Sequence, residues 1–292
     1  MEQAWYGELE GMVPSARQLV APVLAQRALA RDTWLVELEC PEIAQQIVPG
    51  QFFMVRPAVG TDPLLARPFA LYDVVRQAGQ PIGVAFGFTV VGKLTGLMAG
   101  WQPGDLAQIW GPLGNGFPVP GRGHLMCVAG GIGQTPFVAV TREALKHSQY
   151  GQPLRAVAEA PQKVSVCYGV RSEEFLAGVD DFTVPGLDLR LATDDGSLGH
   201  HGFVTQLLQQ SLDAGDRPDQ VYCCGPEPMM RSVSDICQAA GIDCWLSLET
   251  PMACGFGACF SCVTRVRIGE DEWDYRRTCV EGPVFRSDQL QL

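Results

Sequence analysis

The chain has 292 residues, 47% of them hydrophobic, and its 32 acidic side chains outnumber 21 basic ones to leave a formal net charge of −11. Such a length suggests about two domains with small additions, and the apolar content is ample for packed cores. The acidic balance argues against a nucleic-acid surface, and no apolar stretch reaches the roughly 18 residues of a membrane span, so neither nucleic-acid binding nor membrane insertion is expected.

Residues 1–16 carry no clear pattern, and the opening MEQAWYGELEGMVP lacks the basic and apolar regions of a secretory signal, which with eleven cysteines, an odd number, favours a reducing cytoplasm over disulfides. From 17 to 118 the sequence reads as short apolar runs broken by Pro and Gly, such as Thr33-Trp34-Leu35-Val36-Glu37-Leu38 and Ile82-Gly83-Val84-Ala85-Phe86. Short strands at that spacing predict an antiparallel β-barrel. Within it, Arg67-Pro68-Phe69-Ala70-Leu71-Tyr72 joins a planar cation suited to two phosphate oxygens with a rigid proline and two aromatic rings able to face a flat cofactor. Further on, Val91-Gly92-Lys93-Leu94-Thr95-Gly96 precedes an expected short helix over 97–100, either as a phosphate site with a hydroxyl and an ammonium nearby or as a plain capped helix.

The Pro- and Gly-rich stretch 118–123 reads as a stiff turn between two units. Beyond it, strands expected at 125–129, 164–168, 187–192 and 220–223 alternate with helices at 137–147, 203–212 and 228–240, the βα alternation of a doubly wound parallel sheet. Residues 150–162 read as a loop longer than such a unit normally needs. The first strand runs into Gly130-Gly131-Ile132-Gly133-Gln134-Thr135-Pro136 and a helix, where glycines let a diphosphate approach the backbone and the helix start offers unpaired N–H groups. A purely structural glycine turn is the alternative. The fourth strand ends in Cys224-Gly225-Pro226 at another helix start, where Cys224 is either placed beside a reactive ring or an ordinary buried thiol.

Near the C-terminus, Cys254, Cys259, Cys262 and Cys279 stand in the order C-x4-C-x2-C-x16-C, the spacing of plant-type [2Fe–2S] ligation with a distant fourth ligand. Gly255, Gly257 and Ala258 in the first gap and Ser261 in the second let the backbone bend sharply around a cluster. Structural zinc, which usually pairs two C-x-x-C knuckles, is the weaker reading. Arg265, Arg267, Arg276 and Arg277 flank this segment and either help dock a partner or offset negative charge.

These motifs, in this order over roughly residues 17–286, resemble the electron-transfer subunit of type B dihydroorotate dehydrogenase, within the ferredoxin–NAD(P)+ reductase superfamily. The markers are Arg67-Pro68-Phe69, Gly92 with Thr95, Gly111-Pro112-Leu113-Gly114-Asn115-Gly116-Phe117, Gly130-Gly131-Ile132-Gly133, Ala192-Thr193-Asp194-Asp195-Gly196, Cys224-Gly225-Pro226, Met252-Ala253-Cys254-Gly255, and the run from Cys279 to Phe285. The resemblance implies an FAD-binding barrel over 17–118, a nicotinamide-binding α/β domain over 123–242 and a [2Fe–2S] domain over 243–292. It also implies an FMN-bearing partner that oxidises dihydroorotate in pyrimidine biosynthesis, with electrons passing through the cluster and FAD to NAD+, and a heterotetramer of two of each subunit.

Carried across by position, Arg67 would hold the FAD diphosphate, with Pro68, Phe69, Ala70 and Tyr72 near the flavin, and Gly92, Lys93 and Thr95 at phosphate or ribose. Gly130, Gly131, Gly133 and Thr135 would face the dinucleotide, Cys224 and Gly225 the two rings, and Glu249 would help organise the site. No side chain need serve as general acid or base. Around Tyr168-Gly169-Val170-Arg171-Ser172-Glu173-Glu174, the glutamates would repel a 2′-phosphate and Arg171 attract one; the resemblance favours NAD. A face formed by Met252, Phe256 and Phe260 would meet the redox partner, unless these residues pack on their own domain. Two positions depart from the family: Ala70 lacks the usual hydroxyl, and Leu94 adds bulk where a phosphate would approach, both expected to weaken FAD. Two other readings are an electron-transfer subunit serving a different oxidoreductase, and a non-catalytic module that keeps the cluster but has lost flavin.

Overall fold

The computed structural model describes Val13, residues 15–270 and residues 272–291; most of the unpatterned stretch 1–16 lies outside the described residues. Strands β1 (Arg17–Ala30), β2 (Thr33–Glu39), β3 (Phe52–Pro57), β4 (Arg67–Ala70), β5 (Asp73–Gln77), β6 (Gln80–Thr89) and β7 (Leu106–Leu113) form one antiparallel sheet in the order β4-β3-β7-β1-β2-β6-β5. Its two edges, β4 and β5, are consecutive pieces of one run of chain. Leu71 N–H donates to Gln51 O at 3.0 Å and Tyr72 N–H to Ala85 O at 2.9 Å, so residues 71 and 72 close the ring into the expected barrel. The long β1 serves both halves, pairing with β7 through Arg17–Pro22 and with β2 beyond Val23, where the register shifts and the strand bends.

Inward-facing Phe53, Phe69, Phe86 and Phe88 fill the barrel; Phe53 meets Phe86 edge-on at 5.6 Å. Helix α1 (Pro41–Ala44) adds Ile43 to this core, and α2 (Lys93–Met98) adds Leu94 and Met98. The short helix expected at 97–100 therefore starts earlier. Gly92, extended, is its N-cap, and the Thr95 hydroxyl accepts from the backbone N–H groups of Val91 (3.0 Å) and Gly92 (3.1 Å), which fixes the first turn there.

The second sheet holds β8 (His124–Gly130), β9 (Lys163–Val170), β10 (Leu187–Thr193), β11 (His200–His201), β12 (Gln220–Cys224), β13 (Asp243–Ser247) and β16 (Val284–Arg286), in the order β11-β10-β9-β8-β12-β13-β16. Every pairing is parallel except that of β16 with β13. Helices α3 (Phe137–Ala144), α4 (Thr205–Asp213) and α5 (Glu227–Ala240) connect the strands, as the βα alternation predicts. From β8 the chain winds outward to β9 and β10, then returns to add β12 and β13 on the other side. The topological switch thus lies between β8 and β12, with Ala129 beside Cys224 at the carboxyl ends. The sheet crosses the division expected at 242 and 243, because buried Cys244 and Leu246 make 243–247 a core strand.

Beyond this sheet lies a separate hairpin, β14 (Val263–Arg267) with β15 (Trp273–Arg277). Barrel and α/β unit are fastened by ion pairs and phenols. Arg27 reaches Asp181 at 2.6 Å, Arg31 reaches Glu174 at 2.8 Å, and Arg142 pairs with Asp73. The Tyr72 hydroxyl donates to Asp181 and the Tyr150 hydroxyl to Asp73, each at 2.6 Å.

Candidate functional site

The four cysteines of the C-terminal run divide into an inner, buried pair and an outer two on an open loop. Cys262 and Cys279 lie 3.2 Å apart, sulfur to sulfur, and both are buried; Cys259, exposed, lies 3.1 Å from the Ser261 hydroxyl, and Cys254 is half-buried on the same loop. All eleven cysteines are free, and 3.2 Å is well beyond the ~2.05 Å of a disulfide. A binuclear cluster takes two thiols to each iron, and four free thiols in one segment fit a [2Fe–2S] group.

Backbone and hydroxyl donors surround the sulfurs. Burial pushes the Cys259 thiol up, but the Ser261 hydroxyl and N–H and the Cys254 N–H outweigh it and bring its pKa down to about 6, which favours the thiolate at neutral pH. The Cys279 thiol is raised, by burial first and then by Cys262 beside it, a repulsion that a bound cation removes. Thr278 N–H and Oγ1 both donate to Cys262 O, at 2.8 and 3.0 Å, tying the ends of β14 and β15 together under the buried pair.

The cluster segment is docked on the outside of the barrel. Trp110 Nε1 donates to Cys254 O at 2.8 Å, and Gly255, at φ +77°, lies so close to Met54 that a Cβ would fall 2.5 Å from its Cγ. Only glycine meets both conditions. From the end of β7, Gly114 N–H donates to Cys279 O (3.2 Å) and Asn115 N–H to Gly282 O (2.6 Å). The Asn115 side chain donates to Glu281 O (3.1 Å) and Val284 O (2.8 Å) and accepts from Val284 N–H (3.2 Å). Phe52, Met54, Ala66 and Leu113 complete an apolar seat with Cys262 and Cys279.

At the switch point the glycines divide by role. A Cβ on Gly133 would sit 2.3 Å from Cys224 O, one on Gly130 would sit 2.5 Å from Met229 Sδ, and one on Gly225 would sit 3.0 Å from Gly130 N. These three let the ends of β8 and β12 pack together. Gly131, at φ +57°, has nothing within 4 Å of its would-be Cβ and faces open space where a ligand can approach. Thr135 Oγ1 donates to Ile132 O at 3.0 Å and braces the turn. Burial, then the charge of Glu249, push the half-buried Cys224 thiol up to about 12, so it is neutral at physiological pH. At the end of β9, Arg171 is stacked on Phe175 at 4.7 Å and Glu174 is spent on Arg31, leaving Glu173 as the exposed carboxylate of that turn.

On the barrel, exposed Arg67 donates, among the described residues, to its own backbone neighbours Leu65 O and Ala66 O, which leaves guanidinium N–H groups for an anion. Pro68 and half-buried Ala70 alternate with it along β4. Lys93 pairs with Asp62 of the loop that leads to Arg67, and Gly92 and Gly96 open onto free space. Phe69 and Tyr72 are turned inward instead: Phe69 lies 4.8 Å from Phe86 in the barrel core, and Tyr72 faces the α/β unit. The bulk expected from Leu94 at a phosphate is corrected, since its side chain is 4% exposed and belongs to the barrel core. The face expected over 252–260 is split: Met252 and Phe256 pack against the cluster seat, and Phe260 is 62% exposed.

Residues 249–291 match the model of the iron–sulfur cluster binding domain of dihydroorotate dehydrogenase B, and residues 127–235 that of the oxidoreductase NAD-binding domain. The chain is 36% identical over 271 residues to the electron transfer subunit of dihydroorotate dehydrogenase B (NAD(+)) from Desulforamulus reducens, covering 92% of this chain and 97% of that one. The subunit from Geobacillus thermodenitrificans is also 36% identical, with the same coverage. The chain belongs to this family of electron transfer subunits. The solved NADH-dependent reduced ferredoxin–NADP oxidoreductase, studied for flavin-based electron bifurcation, shares the fold, with a TM-score of 0.77 and 24% identity over 93% of this chain and 89% of that one.

Four residues that seat the cluster segment of this electron transfer subunit were given no role of their own by the sequence. Asn115 and Gly114 sit in the marker Gly111–Phe117, and their partners lie more than 160 residues away. Trp110 and Met54 carry no motif at all. The available signal was the paired glycines flanking Asn115, which imply a backbone in close contact with something.

Proposed function

We propose that this chain is the NAD-linked electron transfer subunit of a dihydroorotate-oxidising enzyme of pyrimidine biosynthesis, drawing electrons from an FMN-bearing catalytic subunit. The observation that carries the reading is the buried Cys262–Cys279 pair with Cys254 and Cys259 on the adjoining loop, seated on a barrel that adjoins a dinucleotide-type switch point. FAD bound on the barrel exchanges electrons singly or as a hydride pair, and a [2Fe–2S] cluster passes them one at a time. Arg67 would hold the FAD diphosphate, and the open backbone around Gly92 and Gly96 would admit it. Gly131 would face the NAD diphosphate, Gly130, Gly133 and Gly225 would keep the crevice walls close, and Thr135 would brace the turn. Cys224, a neutral thiol, would fill the space beside the reacting rings without adding charge. Trp110, Gly114 and Asn115 would fix the cluster loop relative to the flavin.

In this reading residues 17–118 serve FAD, 123–242 serve NAD and 243–292 serve the cluster, with β13 and β16 welding the last two together. Among the described residues no helix is long and apolar enough to cross a membrane. We place the subunit in the cytoplasm, two copies of it with two of the catalytic subunit making a heterotetramer.

The test is an anaerobic absorbance titration of the chain reconstituted with iron and sulfide, alone and with the catalytic subunit. One acid-releasable FAD per chain, bleaching by NADH, and reduction by dihydroorotate only when the catalytic subunit is present are the expected results. Cluster absorption without releasable flavin would overturn the FAD assignment, and a complex left oxidised by dihydroorotate would overturn the substrate.

A further inference from the structure

The β14–β15 hairpin is held on one side only. Val266 is buried and bridges to Leu290, anchoring the back of the hairpin to the α/β unit. The front carries the opposed pairs Arg265 with Tyr275 and Arg267 with Trp273. Trp273 and Tyr275 are 45% and 50% exposed, 5.2 Å apart and edge-to-face, and Arg265 lies over the Trp273 ring at 4.5 Å. At the foot of the same face Arg277 covers the exposed ring of Phe260 at 4.8 Å, next to exposed Cys259. Guanidinium and aromatic groups thus run from the outer cysteine pair to the far end of the hairpin.

The four arginines of this region are not equivalent. Arg276 is paired with Asp274, and Arg277 with Glu281 at 3.4 Å. Arg265 and Arg267 have no carboxylate partner among the described residues. Two exposed guanidiniums without a carboxylate partner among the described residues, one flattened on an indole, on a chain of net charge −11, present donor forks ready for carboxylates. Exposed Trp, Tyr and Arg are also the residue types that carry most of the energy of protein interfaces.

We propose that this face is a docking surface for a carboxylate-rich patch of the flavin-bearing catalytic subunit, and that Arg265, Arg267, Trp273 and Tyr275 set the affinity of that complex. The proposal rests on the reading of this chain as an electron transfer subunit. Charge complementarity selects an acidic protein surface, and continuity with Phe260 and Cys259 places the partner beside the outer end of the cluster.

The experiment measures association of the holo chain with the dihydroorotate-oxidising subunit of the same organism by titration calorimetry at two salt concentrations. The variants are Arg265→Glu with Arg267→Glu, and separately Trp273→Ala; the rate of NADH oxidation by ferricyanide in the isolated chain reports that flavin and fold are intact. With that rate unchanged, we expect the Kd to rise by about tenfold or more in each variant and its salt dependence to flatten in the charge reversal. If Trp273→Ala loses the ferricyanide activity, the exposed arginine pair decides the matter alone. Wild-type binding with both variants within about twofold of it, below the roughly tenfold loss expected of a hot spot, overturns the proposal and leaves the functional reading standing. Loss of self-association in the variants, with the hetero-complex unchanged, assigns the face to a second copy of this chain and likewise overturns it. Failure of the wild type to bind that subunit sinks the functional reading itself, and the proposal with it.

Discussion

The two cysteine pairs of the cluster segment sit in opposite surroundings. Cys262 and Cys279 are 1% and 0% exposed, at the ends of β14 and just beyond β15, clamped by Thr278 and by the barrel's Gly114. Cys254 and Cys259 lie on an irregular loop whose tip is open to solvent, positioned by Ser261 and Trp110. The inner pair is part of the apolar seat between cluster segment and barrel, so its geometry is enforced by packing whether or not a metal is present. The outer two have the Ser261 hydroxyl and the one barrel hydrogen bond from Trp110 to hold them, and an exposed sulfur to offer. A cluster held this way would have one end built into the protein and one end facing a partner, which is the asymmetry an electron relay needs.

The strongest way to break the inner side is Asn115→Ala. It removes three hydrogen bonds and strands the carbonyls of Glu281 and Val284 and the N–H of Val284, at a cost of about 2–4 kcal/mol. We expect a lower Tm in the apoprotein and weaker cluster retention, read by thermal unfolding and iron content; an unchanged Tm would mean that the seat is held by apolar packing alone.

The pairs themselves should separate stability from assembly. Cys279→Ala and Cys259→Ala are both expected to abolish normal cluster absorption. Only the first, at a fully buried site, should also destabilise the apoprotein, by about 1–2 kcal/mol. Equal Tm shifts in the two apoproteins would erase the distinction. A finer probe of the outer side is Trp110→Phe, which loses one hydrogen bond to Cys254 O, worth about 0.5–1.5 kcal/mol. Faster cluster loss in the presence of chelator with little change in Tm is the expected signature.

Much of this architecture is legible in the sequence, and what is not was hidden for physical reasons that differ from one region to another. The cysteine spacing and the Gly130–Gly133 turn are legible because their chemistry is local: ligands close in sequence and a strand running into a helix. The seat for the cluster is not, because Asn115 and Trp110 act on residues 144–169 positions away. Directions of side chains are equally invisible to a motif. Leu94 and Phe69 stand among cofactor-type residues, yet both point into the barrel, since alternation along β4 and the first turn of α2 decide their facing. The crossing of the boundary at 242 and 243 escaped for another reason. A five-residue apolar strand after a helix can open a new domain or finish the old sheet, and only pairing with β12 distinguishes them.

The smallest effect lies at the far end of the second sheet, and it tests whether the cluster seat and the sheet respond independently. His124 begins β8, 8% exposed, with Nε2 2.9 Å from Ser165 Oγ and Nδ1 3.5 Å from Asp216. Burial lowers its pKa below 6.5, and Lys163 and Arg190 add to this against the opposing pull of Asp216 and Asp219. The unfolded chain therefore binds this proton more readily than the native one. The stability that neutral His124 contributes is full above its unfolded pKa and falls away as the pH drops below it. Between about pH 7 and 5.5, above the range where carboxylates titrate, the Tm of the holo chain should decline with acidification, and His124→Gln should flatten that decline. The cluster absorbance at 25 °C should stay constant across the same window in both proteins. If absorbance instead fades in step with Tm, the seat and the sheet unfold as one unit, and the inner cysteine pair owes its rigidity to the parallel sheet as much as to the barrel.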